Sequence, residues 1–320
     1  MWIWIIFIAC ILVFLALDLG VFNKENHVIK TKEASIWTAI WVTVALSFSG
    51  VIYWLFANGM VENPTSLTPN KAVLKYITGY LIELSLSVDN VFVIAVIFAS
   101  FKIPPIYQHR VLFWGILGAI VFRAIMIFFG VALITRFEWI IYVFGVFLLY
   151  TAYKMLQGEE EEFKPKKSFV FRQIKKIYPI TGAIQGDQFF VKRMGIKAAT
   201  PLFVALIVIE LTDILFALDS IPAILAITAD PFIVFSSNIL AIMGLRSMYF
   251  LISRMLEKFR YINYSLVIIL AFVGLKMLAS HYIHLPEWVS LAVISAALIG
   301  GVIASLSIPE KETEGSIKED

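Results

Sequence analysis

Apolar residues run along this chain in nine stretches separated by short polar segments: 2–22, 34–58, 76–100, 111–135, 139–156, 200–228, 232–253, 261–280 and 288–308. Each is close to the ~20 residues a helix needs to cross the hydrocarbon core of a bilayer. The pattern therefore predicts an all-α polytopic membrane protein with about nine transmembrane helices. Two flanking helices occupy 1–58, a three-helix unit 76–156, a cytoplasmic loop 157–199, a second three-helix unit 200–280, a last helix 286–308 and a short tail 309–320. The first stretch has no positive leader and no small-residue cleavage motif, so it is expected as a retained span rather than a removed signal.

Composition agrees. Of 320 residues 60% are hydrophobic and the mean hydropathy is +0.88, far from the balance of a soluble domain. Nine spans put the termini on opposite sides. With the N-terminus outside, 20 of the 26 Lys and Arg fall in inner segments, against Lys71, Lys75 and Arg136 in outer ones and Arg123, Arg246 and Lys276 within spans. The excess of inner basic residues predicts an N-out, C-in protein of the plasma membrane.

Polar positions inside the apolar stretches carry the chemistry. Glu83 and Asp89 stand six residues apart in one stretch, Asp213 and Asp219 six apart in another, with Glu210 just upstream. A charge at membrane depth costs several kcal/mol unless paired, protonated or ion-bound, so such groups mark function by default. The two motifs also begin a wider repeat. Aligning Asp89 with Asp219 sets Arg123 opposite Arg246 and Lys154-Met-Leu opposite Lys276-Met-Leu, the spacing differing mainly where the 101–110 loop is longer. Three helices per unit make the second unit inverted, an architecture that in transporters places the site near the midplane.

On an ideal helix Glu83 and Asp89 point ~120° apart and Glu210 and Asp219 lie on nearly opposite faces. A straight helix would leave one acid facing lipid, so a kinked or unwound stretch is expected near Asp219 and Pro222, whose ring cannot donate to Leu218. Carboxylates with Asn90, Ser85, Ser87, Thr212 and Ser220 form an oxygen-only donor set suited to Mn²⁺, Mg²⁺ or Ca²⁺. Arg123 and Arg246 serve equally well as struts or as gating elements, and a purely structural charge network is the plainer alternative. Asp18 is a further acid near the end of the first span. Cys10, the single cysteine, is expected as a small buried side chain, and His27, His109, His281 and His284 in or beside loops. In the 157–199 loop, Phe169, Phe171, Ile174, Ile177 and Tyr178 alternate with Arg172, Lys175 and Lys176, fitting a short helix on the inner leaflet or a solvated linker. No nucleotide-binding or hydrolytic motif is present. Neither an enzyme nor a nucleic-acid partner is expected.

The stretches Gly79-Tyr-Leu-Ile-Glu83 through Asp89-Asn90-Val-Phe-Val, Gly118-Ala-Ile-Val-Phe-Arg123, Asp187-Gln-Phe-Phe-Val191 and Glu210-Leu-Thr-Asp213 through Asp219-Ser220-Ile-Pro222-Ala223 resemble the TerC family of integral membrane proteins, with its Alx-type members. The resemblance extends from Asp18-Leu-Gly-Val-Phe22 to the ninth span. It implies the wider LysE-like transporter superfamily, an association with Mn²⁺ efflux and, in some members, supply of Mn²⁺ to secreted enzymes. The family pattern carries over to Glu83, Asp89, Asn90, Glu210, Asp213, Asp219 and Ser220 as metal-binding residues. The expectation is an exporter of divalent metal with Mn²⁺ as substrate, no tightly bound cofactor, and protons as the coupling ion. The alternatives are a non-transporting subunit that helps load metal onto exported proteins through a secretion-linked partner, and a calcium- or tellurite-related resistance protein.

Overall fold

Proline opens four of the long helices. Pro69, Pro105, Pro201 and Pro231 each stand in the first turn, where a missing N–H costs nothing and the ring presets φ. The computed structural model describes residues 2–20, 30–63, 66–137, 139–157, 179–181, 184, 186–193, 196–253, 261–279, 282 and 285–307. Among these are nine helices: α1 (Trp2–Gly20), α2 (Thr31–Ala57), α3 (Pro69–Ser100), α4 (Pro105–Arg136), α5 (Ile140–Leu156), α6 (Pro201–Leu225), α7 (Pro231–Ile252), α8 (Ile262–Ala279) and α9 (Glu287–Ser307). Each apolar stretch of the sequence holds one. Five are long and apolar enough to cross a membrane, namely α2, α4, α6, α7 and Trp288–Ser305 of α9. Shorter apolar helical stretches lie in α1, α5 and α8.

The helices differ from the apolar stretches in instructive ways. α3 starts at Pro69 rather than 76 and α4 at Pro105 rather than 111. Hydropathy marks where a helix meets hydrocarbon, whereas the proline marks where it begins. At 32 residues each they are ~48 Å long and outreach a ~30 Å hydrocarbon core. The unwinding expected near Asp219 and Pro222 is absent: α6 continues through Pro222 to Leu225. One lost backbone bond, at Leu218, is tolerated when neighbouring helices pack the segment, and Ala217, Ile221, Ala223 and Ile224 are all buried. Asp230 then caps α7, its Oδ1 accepting from the N–H groups of Phe232 and Ile233, both at 3.0 Å.

α7 is the centre. Its apolar window is wholly buried, as befits a helix surrounded by others. It packs on α2, α3 and α4, while α1 lays Trp4 and Phe7 against Phe232 and Phe235. α4 also packs on α6, α3 on α6 and α5 on α8. The α5–α8 crossing is close because both helices bring glycine to it: a Cβ on Gly274 would stand 2.9 Å from the carbonyl oxygen of Gly145, and one on Gly145 3.1 Å from that of Gly274. The outer faces stay apolar, with Phe122, Ile125 and Phe129 on α4 and Val143, Val146 and Tyr150 on α5 exposed.

Three further expectations change. The fold is not purely helical, because Phe190–Arg193 (β1) and Ile196–Ala199 (β2) pair antiparallel just before α6. Their period-two alternation was hidden in a basic loop. Cys10 is exposed, on the outward face of the peripheral helix α1. His109 is not in a loop but in the first turns of α4, which begins earlier than the apolar stretch. Asp18's side chain, the amphipathic segment around Phe169–Tyr178, His27, His281, His284 and the tail from 309 lie outside the described residues.

Candidate functional site

Arg123 places a fully buried guanidinium in the middle of α4, its side chain 1% exposed. It salt-bridges Glu83 of α3 through Nη1, and holds Asp213 of α6 with both ends of a fork: Nη2 donates to Oδ1 at 2.8 Å and Nε to Oδ2 at 3.1 Å. The same Nη1 reaches Ser220 Oγ at 3.3 Å. The second oxygen of Glu83 accepts from Asn238 Nδ2 of α7 at 2.9 Å. Four helices thus meet at one charged point. Glu83 is 1% and Asp213 11% exposed, so the desolvation of three charges is offset only by this mutual pairing and its hydrogen bonds. Two carboxylates against one guanidinium leave the cluster at −1.

Several buried oxygens stand without hydrogen-bond partners: Asn238 Oδ1, on the amide that bonds Glu83, Glu210 Oε2 one turn from Asp213, and Ser85 Oγ, Ser87 Oγ and Asn90 Oδ1 along α3. Buried polar atoms are nearly always satisfied by protein, water or an ion, so Asn238 Oδ1 beside the charged cluster marks a place for a polar guest. Glu210 reaches its position because α4 presents Gly118 there, and a Cβ at 118 would collide with the Glu210 carboxylate. This contact shows where Glu210 is accommodated on the continuous α6. Glu210 and Asp213 both point toward α4, and Leu211, Leu215 and Leu218 take the exposed face.

Toward the β1–β2 end, a cavity adjoins the cluster. Its walls include Asn90, Thr212, Asp213 and Arg246 among apolar side chains from α3, α4, α6 and α7, and its ~20 Å³ admits about one water or bare ion. Arg246 also lies 2.8 Å from His109 Nε2, and Tyr249 donates to Gln108 at 3.0 Å nearby. At the same end, Arg110 pairs with Asp187 and stacks over Phe189, tying the segment before β1 to the start of α4.

Of the residues read from the sequence, Glu83, Asp213 and Ser220 come together at Arg123, Asn90 lines the adjoining cavity, and Glu210 lies against Gly118. Asp89 and Asp219 fall within α3 and α6, but their side chains lie outside the described residues. Among the described residues no three Asp, Glu, His or Cys side chains converge as a metal-binding group. Arg123 itself occupies the space between Glu83 and Asp213. Lys276 belongs elsewhere, donating to Ser290 Oγ of α9 at 2.9 Å. Sequence reasoning missed Asn238, whose signal was the polar run Ser236-Ser237-Asn238 inside an apolar stretch, and gave Gly118 no role of its own.

Comparison with known proteins points one way. Residues 68–313 match the model of the integral membrane protein TerC family. An uncharacterized membrane protein of Myxococcus xanthus is 50% identical over 303 residues, covering 95% of this chain and 91% of that protein. A membrane protein of Rickettsia bellii is 43% identical over the same share of this chain and 96% of its own. Alx of Salmonella typhi, named as a proposed membrane-bound redox modulator, is 44% identical over 91% of this chain and 90% of its own. No solved structure matches the chain.

Proposed function

The chain belongs to the TerC family of integral membrane proteins, and from that premise we propose that it exports divalent metal cations, Mn²⁺ first among them, through the carboxylate site. In this reading it is a multi-pass protein of the plasma membrane with the N-terminus outside and the C-terminus cytoplasmic. The nine helices act as spans, and α3–α5 and α6–α8 form two inverted repeats. No hydrolytic motif supplies energy, so protons taken up by the carboxylates as metal leaves provide the exchange.

The observation that carries the reading is the meeting of Glu83 and Asp213. These repeat equivalents, one from each half, lie at a single buried point with partnerless oxygens beside it. That is where inverted-repeat transporters place a cation. The donors are all oxygen, which suits hard divalent ions. Among the described residues the one histidine is His109, whose Nε2 lies 2.8 Å from Arg246 of the cavity wall. Mg²⁺ gives up its water reluctantly, and a site of carboxylate and amide oxygens favours Mn²⁺ or Ca²⁺ over it. The redox role in the name of the Alx relatives has little to rest on here, with Cys10 the only thiol.

Purified protein in liposomes, loaded with Mn²⁺, Ca²⁺, Mg²⁺ or Zn²⁺ and tested with and without a pH gradient, provides the test. Export predicts Mn²⁺ flux that a proton gradient accelerates. Flux of Ca²⁺ alone would reassign the cargo, and no flux of any ion would leave the metal-loading subunit as the better account.

A further inference from the structure

Hydroxyls within these helices are mostly turned back on their own backbone. Thr78 and Thr212 each donate at 2.7 Å to the carbonyl four residues earlier, and Ser236 and Ser237 at 3.3 and 3.2 Å to the carbonyl three earlier. That is the usual way a hydroxyl is satisfied inside a helix. Ser87 of α3 departs from it. The residue is 0% exposed, yet its Oγ makes no hydrogen bond, a costly state for a buried hydroxyl unless a guest completes it. At ~100° per residue, Ser87 lies ~40° to one side of Glu83 around the helix axis and Asn90 ~20° to the other, so the three share one face. Asn90 is 4% exposed, lines the small cavity with Ile94, and its Oδ1 is likewise unpartnered. Ser85, the other α3 hydroxyl without a partner, falls ~160° from Glu83 on the opposite face. Along α3, then, the cavity ends at Asn90, the acid cluster begins at Glu83, and Ser87 stands between them.

From this placement, and resting on the transport reading above, we infer that Ser87 is a transfer ligand that takes a divalent cation from Asn90 at the cavity and passes it to Glu83. The rise along the helix from Asn90 to Glu83 is ~10.5 Å, whereas a hard divalent ion holds its oxygens at ~2.0–2.6 Å. Ser87 divides that interval into steps of ~4.5 Å and ~6 Å, each of a size that two side chains sharing one ion can cover. The order of donors suits a relay. An amide and a hydroxyl are neutral oxygens that hold a hard cation without trapping it, and the carboxylate beyond them holds it more firmly. Because Ser87 Oγ bonds nothing in the protein, no internal hydrogen bond has to break when the ion arrives. A serine turned back on its own helix would have to give up that bond first.

The test uses the full chain with Cys10→Ser, so that an introduced thiol is the only one. Ser87→Cys sets a soft thiolate between Asn90 and Glu83, and Cd²⁺ added to the purified protein is expected to give a thiolate-to-metal charge-transfer absorption. Ser85→Cys, on the other face of α3, should give none. Absence of the absorption at position 87, or equal absorption at both positions, would overturn the inference. In liposomes, Ser87→Ala should lower Mn²⁺ flux by about tenfold, the worth of one polar contact. Its unfolding temperature should stay level or rise, since the hydroxyl removed bonds nothing in the protein. Unchanged flux, or a loss of flux matched by a lower unfolding temperature, would make the hydroxyl structural and overturn the inference as well. The Cd²⁺ absorption needs no transport. A Ser87→Cys signal in protein that moves no metal would therefore sink the exporter reading while the ion position at Ser87 stands, and metal flux that Ser87→Ala leaves intact would sink the transfer step alone.

Discussion

Removing Arg123 leaves Glu83 buried and Asp213 nearly so without their guanidinium, and a buried pair broken from one side costs about 3–5 kcal/mol. Arg123→Leu should accordingly lower the unfolding temperature in detergent steeply, and Arg123→Leu with Glu83→Gln should recover part of the loss, because one stranded charge is gone. If the double variant is no more stable than the single, the cluster is not held by charge. Gly118 offers a milder probe. Gly118→Ala pushes the Glu210 carboxylate from its seat at the far end of a flexible side chain, so abundance should stay near normal while metal flux falls. Flux equal to wild type would remove Glu210 from the site. Glu210 and Asn90 were legible in the sequence as acid and amide in apolar runs. Asn238 was less so, because a lone amide among serines looks like helix packing until a carboxylate is seen 2.9 Å away.

At the scale of elements, the glycine crossing of α5 and α8 fixes how closely these two helices approach. Gly274→Ala would bring a methyl to 2.9 Å from a backbone oxygen and 3.0 Å from Leu149, contacts that relax only by separating the helices. Overpacking of this kind costs about 1–3 kcal/mol. A lower unfolding temperature is expected for Gly274→Ala, with no comparable change for Gly300→Ala, whose added Cβ meets nothing. The helices themselves were readable from apolar length, but the starts of α3 and α4 were not, because hydropathy marks the hydrocarbon boundary while Pro69 and Pro105 lie before it. The continuity of α6 through Pro222 was not, since whether a proline breaks a membrane helix depends on what packs beside the freed carbonyl.

For the molecule as a whole, the charge asymmetry makes a direct prediction about sides. With Cys10 replaced, cysteines at Asn63 and Ser168 should react from opposite faces of the membrane, Asn63 from outside. Reaction of both from one face would end the inverted-repeat reading. In cells lacking the protein, a Mn²⁺ challenge should raise total cell Mn²⁺ with little change in Zn²⁺ or Cu²⁺, measured by mass spectrometry. Unchanged Mn²⁺ beside raised Ca²⁺ would move the cargo to calcium. Under the proposed topology the cavity next to Arg123 lies on the cytoplasmic side, where the proposed exporter would take up its cargo.

Taken alone, the sequence determined that this is a helical membrane protein, that acids repeat at fixed spacing within it, and that arginines recur in register. Each of these is a property of one segment and its period, so it is written locally. Tertiary structure decided which groups meet. Glu83, Arg123, Asp213 and Asn238 come from four helices, and only their packing brings a guanidinium between two carboxylates rather than leaving those acids to each other. It also decided that a small cavity opens beside Asp213 and Arg246 while Arg123 fills the space between the acids. A cavity is the space that packed helices leave between them, so no single segment of sequence encodes it.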